Sequence, residues 1–357
     1  MKLQAAQKKS IRDNPLAADL DHVLAHTEGL WEDLRGKRLF ITGGTGFFGH
    51  WLLESFIWAN HHLDLRASAV VLTRDLNAFR KHSPHLAADP AVDFHIGDIR
   101  DFSFPDGDFS HVIHAATTSA LATFNNEDPL IKFDTTYGGT RRALDFAARC
   151  RAGKFLLTSS GSVYGKQPFN ISHLAEDYRG APDPADPSSA LGEAKRAAEF
   201  LCSMYSGKYG IDTKIARCFS FVGPYLPLDV HYAIGNFIRD GLRGGPILVN
   251  GDGTSHRSYL YAADLAIWLW TILFKAESRG VYNVGSEDDL SIAVLAYTVA
   301  QTFDTPVEVR IAKSPAPDSP CERYVPSTKR ARTELGVSQT IDLKTAIRRT
   351  ARFAGQS

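Results

Sequence analysis

The chain lacks the residue patterns that mark several specialised classes of protein. Its 357 residues include four cysteines, Cys150, Cys202, Cys218 and Cys321, which lie far apart and form neither a C-x-x-C motif nor a Cys/His pair. This spacing favours neither a disulfide framework nor a metal site, so we expect no metal and a reducing, cytoplasmic location. Forty basic residues balance forty acidic ones. No overall charge therefore favours binding to nucleic acid or to an anionic membrane.

Long hydrophobic runs are also absent. The most apolar stretch, 259–274, is interrupted by Asp264, and the N-terminal residues include Lys and Arg without an apolar signal core. Neither pattern is typical of a membrane span or a secretory signal. We therefore expect a soluble protein with no membrane partner. Its length is sufficient for a large α/β domain with a smaller lobe.

The most informative feature that is present is an apolar strand leading into a glycine turn. Residues 38–49 read RLFITGGTGFFG, with a G-x-x-G-x-x-G spacing at Gly43, Gly46 and Gly49, and an amphipathic run to about Ala59 follows. In a Rossmann βα unit, such glycines let backbone N–H groups at the helix N-terminus bind a pyrophosphate. Because the strand and the helix flank the glycines, the motif predicts a dinucleotide site.

Strand and helix patterns then alternate. Strands are predicted at 38–42, 68–73, 93–96, 111–114, 154–159 and 212–217, and helices at 135–149, 192–209, 259–273 and 343–353. Alternation of this kind predicts an α/β fold, a Rossmann-type doubly wound parallel sheet. Glycine and proline break the pattern after Arg217, so we expect a smaller mixed C-terminal substrate lobe. The expected division has three parts. Residues 1–36 form a helical arm packed on the domain or on a second subunit. Residues 37–217 form the dinucleotide-binding domain, to which 255–290 return, and residues 218–254 and 291–357 form the substrate lobe.

Further motifs follow the glycine turn in a fixed order. They are Gly97-Asp98-Ile99, His114-Ala115-Ala116-Thr117, Ser159-Ser160-Gly161-Ser162-Val163-Tyr164, Gly192-Glu193-Ala194-Lys195, Arg217 to Pro224, and Gly251 to Tyr259. Together they resemble the extended short-chain dehydrogenase/reductases, in particular the nucleotide-sugar epimerase/dehydratase branch to which UDP-glucose 4-epimerase belongs. The resemblance extends from Lys37 to about Gly336.

The resemblance implies a nicotinamide dinucleotide, NAD or NADP. The residues implied to hold it are Gly43, Thr45, Gly46, Phe47, Phe48, Gly49, Thr73, Arg74, Asp98, Ile99, Ala115, Ala116, Thr117, Thr136 and Lys195. The acidic residue expected near the end of the second strand, where it would bind the ribose 2′-hydroxyl, is missing, because that strand leads into Thr73-Arg74-Asp75. A guanidinium matches phosphate oxygens well, so Arg74 gives a slight preference for NADP.

The resemblance also implies a catalytic group of Ser160, Ser162 and Lys195, with a tyrosine four residues before the lysine on the same helix face. Leu191 stands at that position. Leucine neither accepts nor donates a proton, so three explanations remain open. The position was changed deliberately, another acid/base such as Tyr164 or a bound water acts instead, or the chain only binds its ligands.

Two residues bear on the type of reaction. The resemblance implies that a 4,6-dehydratase would have Asp and Glu where this chain has Gly161 and Ser162. Elimination of water needs such an acid and base, so dehydration is disfavoured. Epimerisation at sugar C4, by oxidation and re-reduction, is favoured. The alternatives are a nucleotide-sugar 4-ketoreductase or 4,6-dehydratase-like enzyme and, from another class, a non-catalytic nucleotide or sugar-nucleotide binding protein.

The expected substrate is a nucleotide-diphosphate sugar. The residues that the resemblance implies will contact it are Ser119, Ser160, Ser220, Asn236, Arg257 and Arg323. Ser220 and Thr136 each replace an asparagine that is common in the family, and both keep a hydrogen-bonding group. The resemblance also implies a homodimer that pairs the helices at 135–149 and 192–209.

Overall fold

The structure is a computed structural model, and it describes residues 14–118, 127–230, 232–305, 307–315 and 321–356. Its strands, in chain order, are β1 (Arg38–Thr42), β2 (Ser68–Thr73), β3 (Val92–Ile96), β4 (His111–His114), β5 (Lys154–Ser160), β6 (Asp212–Cys218), β7 (Phe221–Val222), β8 (Ile247–Val249), β9 (His256–Arg257), β10 (Leu260–Tyr261), β11 (Val281–Val284), β12 (Leu290–Ser291), β13 (Val309–Ile311) and β14 (Arg323–Tyr324). Seven of them form one sheet in the order β3-β2-β1-β4-β5-β6-β11, and all neighbouring strands are parallel.

Helices connect these strands. They are α1 (Ala17–His26), α2 (Phe47–His62), α3 (Leu76–His82), α4 (Pro84–Ala87), α5 (Pro129–Arg149), α6 (Ala190–Tyr209), α7 (Ala233–Leu242), α8 (Ala262–Lys275), α9 (Ile292–Ala300), α10 (Lys329–Leu335) and α11 (Leu343–Gly355), with 3-10 turns at Leu30–Leu34, Gly161–Tyr164 and Pro187–Ser189. The predicted Rossmann-type α/β fold is therefore confirmed. Crossover helices that return to a parallel sheet in this way leave the carboxyl ends of the strands along one edge.

Side chains of β1 show that both faces of the sheet are covered. Leu39 and Ile41 belong to a hydrophobic cluster that includes α2 and α8, whereas Phe40 belongs to a second cluster that includes α5 and α6. All three side chains are fully buried. Alternation between two buried faces explains why the strand reads as an unbroken apolar run.

The N-terminal arm packs on the domain. Helix α1 contacts α2 and α8, and Trp31 is fully buried with its ring 4.6 Å from that of Trp270. The buried carboxylate of Asp19 accepts a hydrogen bond of 2.6 Å from the Tyr261 hydroxyl and also pairs with Arg349 of α11. The part of the arm that the structure describes is thus attached to the last helix as well as to the domain.

Several predicted boundaries differ from the structure. The helix predicted at 135–149 begins at Pro129, where Asp128 caps it, and the helix predicted at 259–273 begins at Ala262, after the short strand β10. The stretch 255–290 was expected to return to the main domain as a whole. Within this stretch β11 joins the large sheet and α8 packs against α2 and β6. Strand β9 pairs instead with β12 and β14 in a separate three-stranded sheet.

Candidate functional site

The glycine turn lies against the backbone of the segment that follows β4. Gly43 has a φ of +73°, and a Cβ at this position would lie 2.5 Å from the carbonyl carbon of Ala115. A Cβ on Gly49 would lie 2.3 Å from the backbone of Gly44. Only glycine fits at both positions. Gly46 precedes α2 in an extended conformation, and the first N–H groups of a helix have no partner within it. This arrangement can bind an anion through backbone groups.

A buried hydrogen-bond network fixes the segment opposite the turn. Thr140 donates to the carbonyl oxygen of Thr136 (2.7 Å) and accepts from Nε2 of His114 (3.0 Å), which leaves Nδ1 of His114 to accept from Thr42 (2.7 Å). Thr42 Oγ1 in turn accepts from the N–H of Ala116 (3.2 Å). Burial lowers the pKa of His114 to about 3, so the imidazole is neutral, as the network requires. Sequence reasoning missed this network, although His114 lay within a quoted motif.

Three predicted cofactor residues, Thr136, Ile99 and Asp98, lie near this network. Thr136 is fully buried, and its hydroxyl has no hydrogen-bond partner among the residues that the structure describes. Ile99 is buried against Gly139, where a Cβ would come within 2.9 Å of its side chain. Asp98 is held by Arg100 at 2.8 Å, and this ion pair lowers the pKa of Asp98 below its ordinary value. A buried polar group without a partner is costly, so Thr136 indicates a place where a ligand completes the structure.

A cavity of about 620 Å³ opens beside the glycine turn. Thr45, Thr73 and Arg74 line it together with His50 of α2. The Arg74 side chain is 75% exposed, and its ion pair with Asp98 is long, at 3.9 Å. Asp75 instead caps α3, with its carboxylate accepting from the N–H of Ala78 at 2.9 Å. The end of β2 therefore presents a cation to the cavity.

Of the other cofactor residues predicted around the turn, Phe47 and Phe48 begin α2 with their rings half-buried, and the Phe48 ring packs on Phe221. Ala115 is half-buried and Thr117 is exposed. Ser119 lies outside the described residues.

Lys195 lies close to the end of β5. It lies on α6, is 3% exposed, and donates from Nζ to the carbonyl oxygen of Thr158 on β5 (2.7 Å). Burial lowers the pKa of Lys195 to about 8. A buried ammonium with a lowered pKa beside a strand end is typical of functional lysines.

The end of β5 carries the predicted serines. The Ser160 hydroxyl accepts from the N–H of Ser162 (3.1 Å), and the buried hydroxyl of Ser162 has no partner among the described residues. Helix α6 lies directly against this turn, because a Cβ on Gly192 would be 2.7 Å from the Ser162 carbonyl oxygen. Leu191 precedes Gly192 and is half-buried. The structure thus brings Ser160, Ser162, Leu191 and Lys195 together at one strand end.

Tyr164, one of the suggested replacements for the missing tyrosine, has a different environment. Its hydroxyl donates to Asn283 (2.7 Å) and accepts from Arg217 (2.8 Å), and Arg217 also pairs with Glu199 (2.7 Å). Burial raises the pKa of Tyr164 to about 12. Because both hydrogen-bonding capacities of the hydroxyl are used in this network, Tyr164 ties β5, β6 and β11 together, and this position does not suit it to proton transfer.

The predicted substrate arginines lie on the small three-stranded sheet. Strands β9 and β14 run parallel with Arg323 opposite His256, and Arg323 pairs with Asp289. Arg257 donates to the carbonyl oxygen of His256 (2.8 Å) and approaches Glu322 only to 4.0 Å. Both arginines are thus partly exposed on neighbouring strands, although Arg323 already has a carboxylate partner.

The two remaining substrate residues are less closely connected to these arginines. Ser220 follows β6, and its carbonyl oxygen accepts from Leu260 (3.0 Å). Asn236 lies on α7, where its side chain accepts from Arg239 (3.2 Å). Tyr324, which the sequence reasoning did not consider, extends from β14 to the turn after β5, where a Cβ on Gly161 would be 2.7 Å from its hydroxyl oxygen. Its only signal in the sequence was its place next to Arg323.

Comparison with known proteins identifies the family. The model of the NAD dependent epimerase/dehydratase family matches residues 39–285. The chain belongs to this family.

The chain is also similar to individual proteins of known function or known structure. The chain is 29% identical over 307 residues to UDP-glucuronic acid decarboxylase 6 of Arabidopsis thaliana, covering 86% of this chain and 85% of that protein. Among solved structures it is similar to UDP-glucose 4-epimerase of Thermotoga maritima (TM-score 0.71, 19% identity, covering 89% and 99%). It is also similar to a dTDP-glucose 4,6-dehydratase of Streptomyces venezuelae (TM-score 0.72, 22% identity, covering 89% and 97%).

The residues present fit the dinucleotide from which the epimerase/dehydratase family takes its name. A backbone cradle that a Cβ would fill at Gly43, a helix N-terminus beside it and the unpartnered hydroxyl of Thr136 all point to a bound ligand. Among the described residues no cluster of His, Cys, Asp and Glu is suited to hold a metal ion. In the same part of the chain, no helix combines the length and apolar character needed to cross a bilayer.

Proposed function

We propose that the protein is an NAD(P)-dependent nucleotide-sugar epimerase that oxidises and re-reduces C4 of the sugar. The observation that carries this proposal is the position of Lys195, which is buried and held at the end of β5 beside the turn that bears Ser160 and Ser162. When bound, the dinucleotide supplies an oxidant that accepts a hydride from the sugar and later returns it. The chain's own residues bind, orient and exchange a proton with the sugar.

Each side chain has a separate part in this proposal. The Ser160 hydroxyl, at the open end of β5, hydrogen-bonds the reacting sugar oxygen. The Lys195 ammonium holds the nicotinamide ribose and favours a negative charge on a nearby acid/base. Thr136 completes its hydrogen bonding with the cofactor, and the glycine turn with the first N–H groups of α2 binds the pyrophosphate.

Gly161 and Ser162 support epimerisation over dehydration. Neither side chain can act as a carboxylic acid or a carboxylate, whereas elimination of water needs such a pair. Oxidation and re-reduction at one carbon need only one acid/base. Curated relatives of this chain are UDP-glucuronic acid decarboxylases, so decarboxylation is a second candidate. Oxidation of UDP-glucuronic acid at C4 would give a ketone in the β position to the carboxylate on C5. Because β-keto acids lose carbon dioxide readily, the same oxidation would begin the decarboxylation.

The small lobe supports a diphosphate substrate. A guanidinium is well suited to bind phosphate oxygens, and the register places Arg257 on the same face of the small sheet as Tyr324. Arg323 lies on the opposite face, where it pairs with Asp289, so we assign the diphosphate contact first to Arg257 and only a secondary part to Arg323. We assign Ser220 and Asn236 supporting contacts to the same substrate.

We also infer that NADP is preferred over NAD and that the chain forms a cytoplasmic homodimer. The cation of Arg74 at the cavity, with Asp75 committed to capping α3, supports the cofactor preference. Helices α5 and α6 pack side by side and expose Leu130, Ile131, Phe200 and Met204. Exposed apolar side chains on paired helices are typical of an interface.

The first experiment is mass spectrometry of small molecules released from the denatured protein, followed by addition of UDP-sugars to the cofactor-loaded protein. An epimerase should convert UDP-glucose and UDP-galactose into each other and should show new near-ultraviolet absorbance of reduced nicotinamide. Release of carbon dioxide from UDP-glucuronic acid would favour the decarboxylase instead. Binding of cofactor and UDP-sugar with no absorbance change, in the natural protein and in Leu191→Tyr, would reject both enzymes and favour a binding protein.

A further inference from the structure

Tyr324 reaches the candidate catalytic turn from a distant part of the chain. Strand β14 pairs with β9 so that Tyr324 stands opposite Arg257, and Leu174 bridges to Pro326 just beyond it. The Tyr324 ring packs on Phe219, which follows β6, with ring centroids 4.7 Å apart. Packing from two sides fixes the direction in which the phenol points.

The phenol points at the residues that end β5. A Cβ on Gly161 would lie 2.7 Å from the Tyr324 hydroxyl oxygen, so this oxygen can take its position only because residue 161 has no side chain. The Ser160 side chain and the Gly161 backbone lie close enough to this oxygen to lower the pKa of Tyr324. Gly161, which stands where a 4,6-dehydratase is expected to have a carboxylic acid, thus also leaves the space that the Tyr324 hydroxyl occupies.

The surroundings of this hydroxyl act in opposite directions. Burial raises the pKa of Tyr324 to about 12, and Cys218 acts in the same direction. The nearby Ser160 side chain, the Gly161 backbone and the charge of Arg257 oppose this rise in the pKa of Tyr324, because all three favour a phenolate. A cationic nicotinamide ring bound in this site would add a further positive charge.

We propose that Tyr324 supplies the acid/base hydroxyl that Leu191 cannot supply, with Ser160 as its partner at the reacting sugar oxygen. This inference rests on the proposed function. In the oxidising direction, the carbinol carbon loses a hydride to the oxidised nicotinamide and its hydroxyl proton passes to the Tyr324 phenolate. In the reducing direction, the carbon regains the hydride and the phenol returns the proton to the ketone oxygen. Protons and electrons therefore balance over one cycle.

The first test does not depend on turnover. The near-ultraviolet absorbance of phenolate is titrated with pH in the natural protein and in Tyr324→Phe, each with and without oxidised cofactor. The difference between the curves of the two proteins gives the titration of Tyr324. We expect the midpoint for Tyr324 to fall by at least about one pH unit when the cofactor binds, since its positive charge favours the phenolate. A midpoint that does not move when the cofactor binds would overturn the proposal. Tyr209→Phe, which removes an exposed phenol at the end of α6, is the control.

The second test measures single-turnover reduction of the nicotinamide by UDP-glucose and UDP-galactose. Tyr324→Phe should slow it by about 10²–10⁴-fold and flatten its pH profile, whereas Tyr209→Phe should not. The double variant Leu191→Tyr with Tyr324→Phe should recover the rate, which a merely structural role for Tyr324 does not predict. An undiminished rate in Tyr324→Phe overturns this proposal alone. If the natural protein is inactive and Leu191→Tyr is active, the proposal for Tyr324 is also overturned. If both proteins bind cofactor and UDP-sugar but neither reduces the nicotinamide, the proposed function is rejected.

Discussion

Replacement of Lys195 by methionine should stabilise the fold while it abolishes reduction of the bound cofactor by the sugar. The Lys195 ammonium is almost fully buried, and its single described hydrogen bond is to the carbonyl oxygen of Thr158 (2.7 Å). Its pKa is lowered from 10.5 to about 8 by burial. The protein therefore holds a charge that its surroundings disfavour, which is expected where a charge serves a ligand more than the fold.

The size of the effect follows from this lowering. A pKa shift of this extent means that the charge on Lys195 destabilises the folded protein by about 3 kcal/mol at neutral pH, relative to the unfolded chain. Methionine has a similar length, but the Thr158 carbonyl loses its charged donor, which costs about 1–2 kcal/mol. We therefore expect Lys195→Met to raise the free energy of unfolding by about 1–2 kcal/mol at pH 7.

The pH dependence gives a sharper measurement. Between pH 8 and 10.5 the unfolded chain binds the lysine proton and the folded chain does not, so the stability of the natural protein rises with pH by up to about 1.4 kcal/mol per pH unit. The variant lacks this contribution, and its advantage should disappear across that interval. Urea unfolding followed by tryptophan fluorescence measures both curves, and Lys208→Met on the exposed end of the same helix is the control. Parallel curves for the natural protein and Lys195→Met would refute the reasoning.

Three further predictions concern the turn, the cofactor and the interface. Gly43→Ala should weaken cofactor binding by at least 100-fold, about 3 kcal/mol, because its Cβ would meet the Ala115 backbone. The control Gly29→Ala has a similar φ of +76° and open space around its Cβ, so it should lose only about 1 kcal/mol of stability. Calorimetric titration measures the cofactor affinity of both variants, and urea unfolding measures their stability. Arg74→Ala should weaken NADP by about tenfold or more and leave NAD nearly unchanged, and equal losses in titrations of the two cofactors would contradict the preference. Phe200→Asp should convert the dimer to monomer in sedimentation, whereas Phe169→Asp, at an equally exposed position outside α5 and α6, should not.

The parts of the site that follow from adjacent residues were predictable. The strand, glycine turn and helix at 38–59 are set by local patterning, and Lys195 was identified by its short motif. Tyr324 was not predictable in the same way, because it enters the site through the pairing of β14 with β9 and through the space above Gly161. Such contacts depend on how distant two-residue strands align. No period or spacing in the sequence records that alignment.

Tyr164 shows the opposite difficulty. Its closeness in sequence to Ser160 made it a candidate for proton transfer, but its hydroxyl is held by Asn283 and Arg217. Both partners come from strands that lie further along the chain. A tyrosine near a site in sequence and a tyrosine that faces the site can be separated only when the hydrogen-bond partners are known.

The attachment of the N-terminal arm also affects how the protein is made. The partners of Asp19, Tyr261 and Arg349, follow it by 242 and 330 positions, so a nascent chain exposes this carboxylate long before either partner leaves the ribosome. Burial of the unpaired carboxylate would cost several kcal/mol, and the arm should therefore dock only after α11 has been synthesised. The arm is translated before both of these partners, yet it would then be among the last of these segments to reach its native position, and its apolar face stays exposed until that moment.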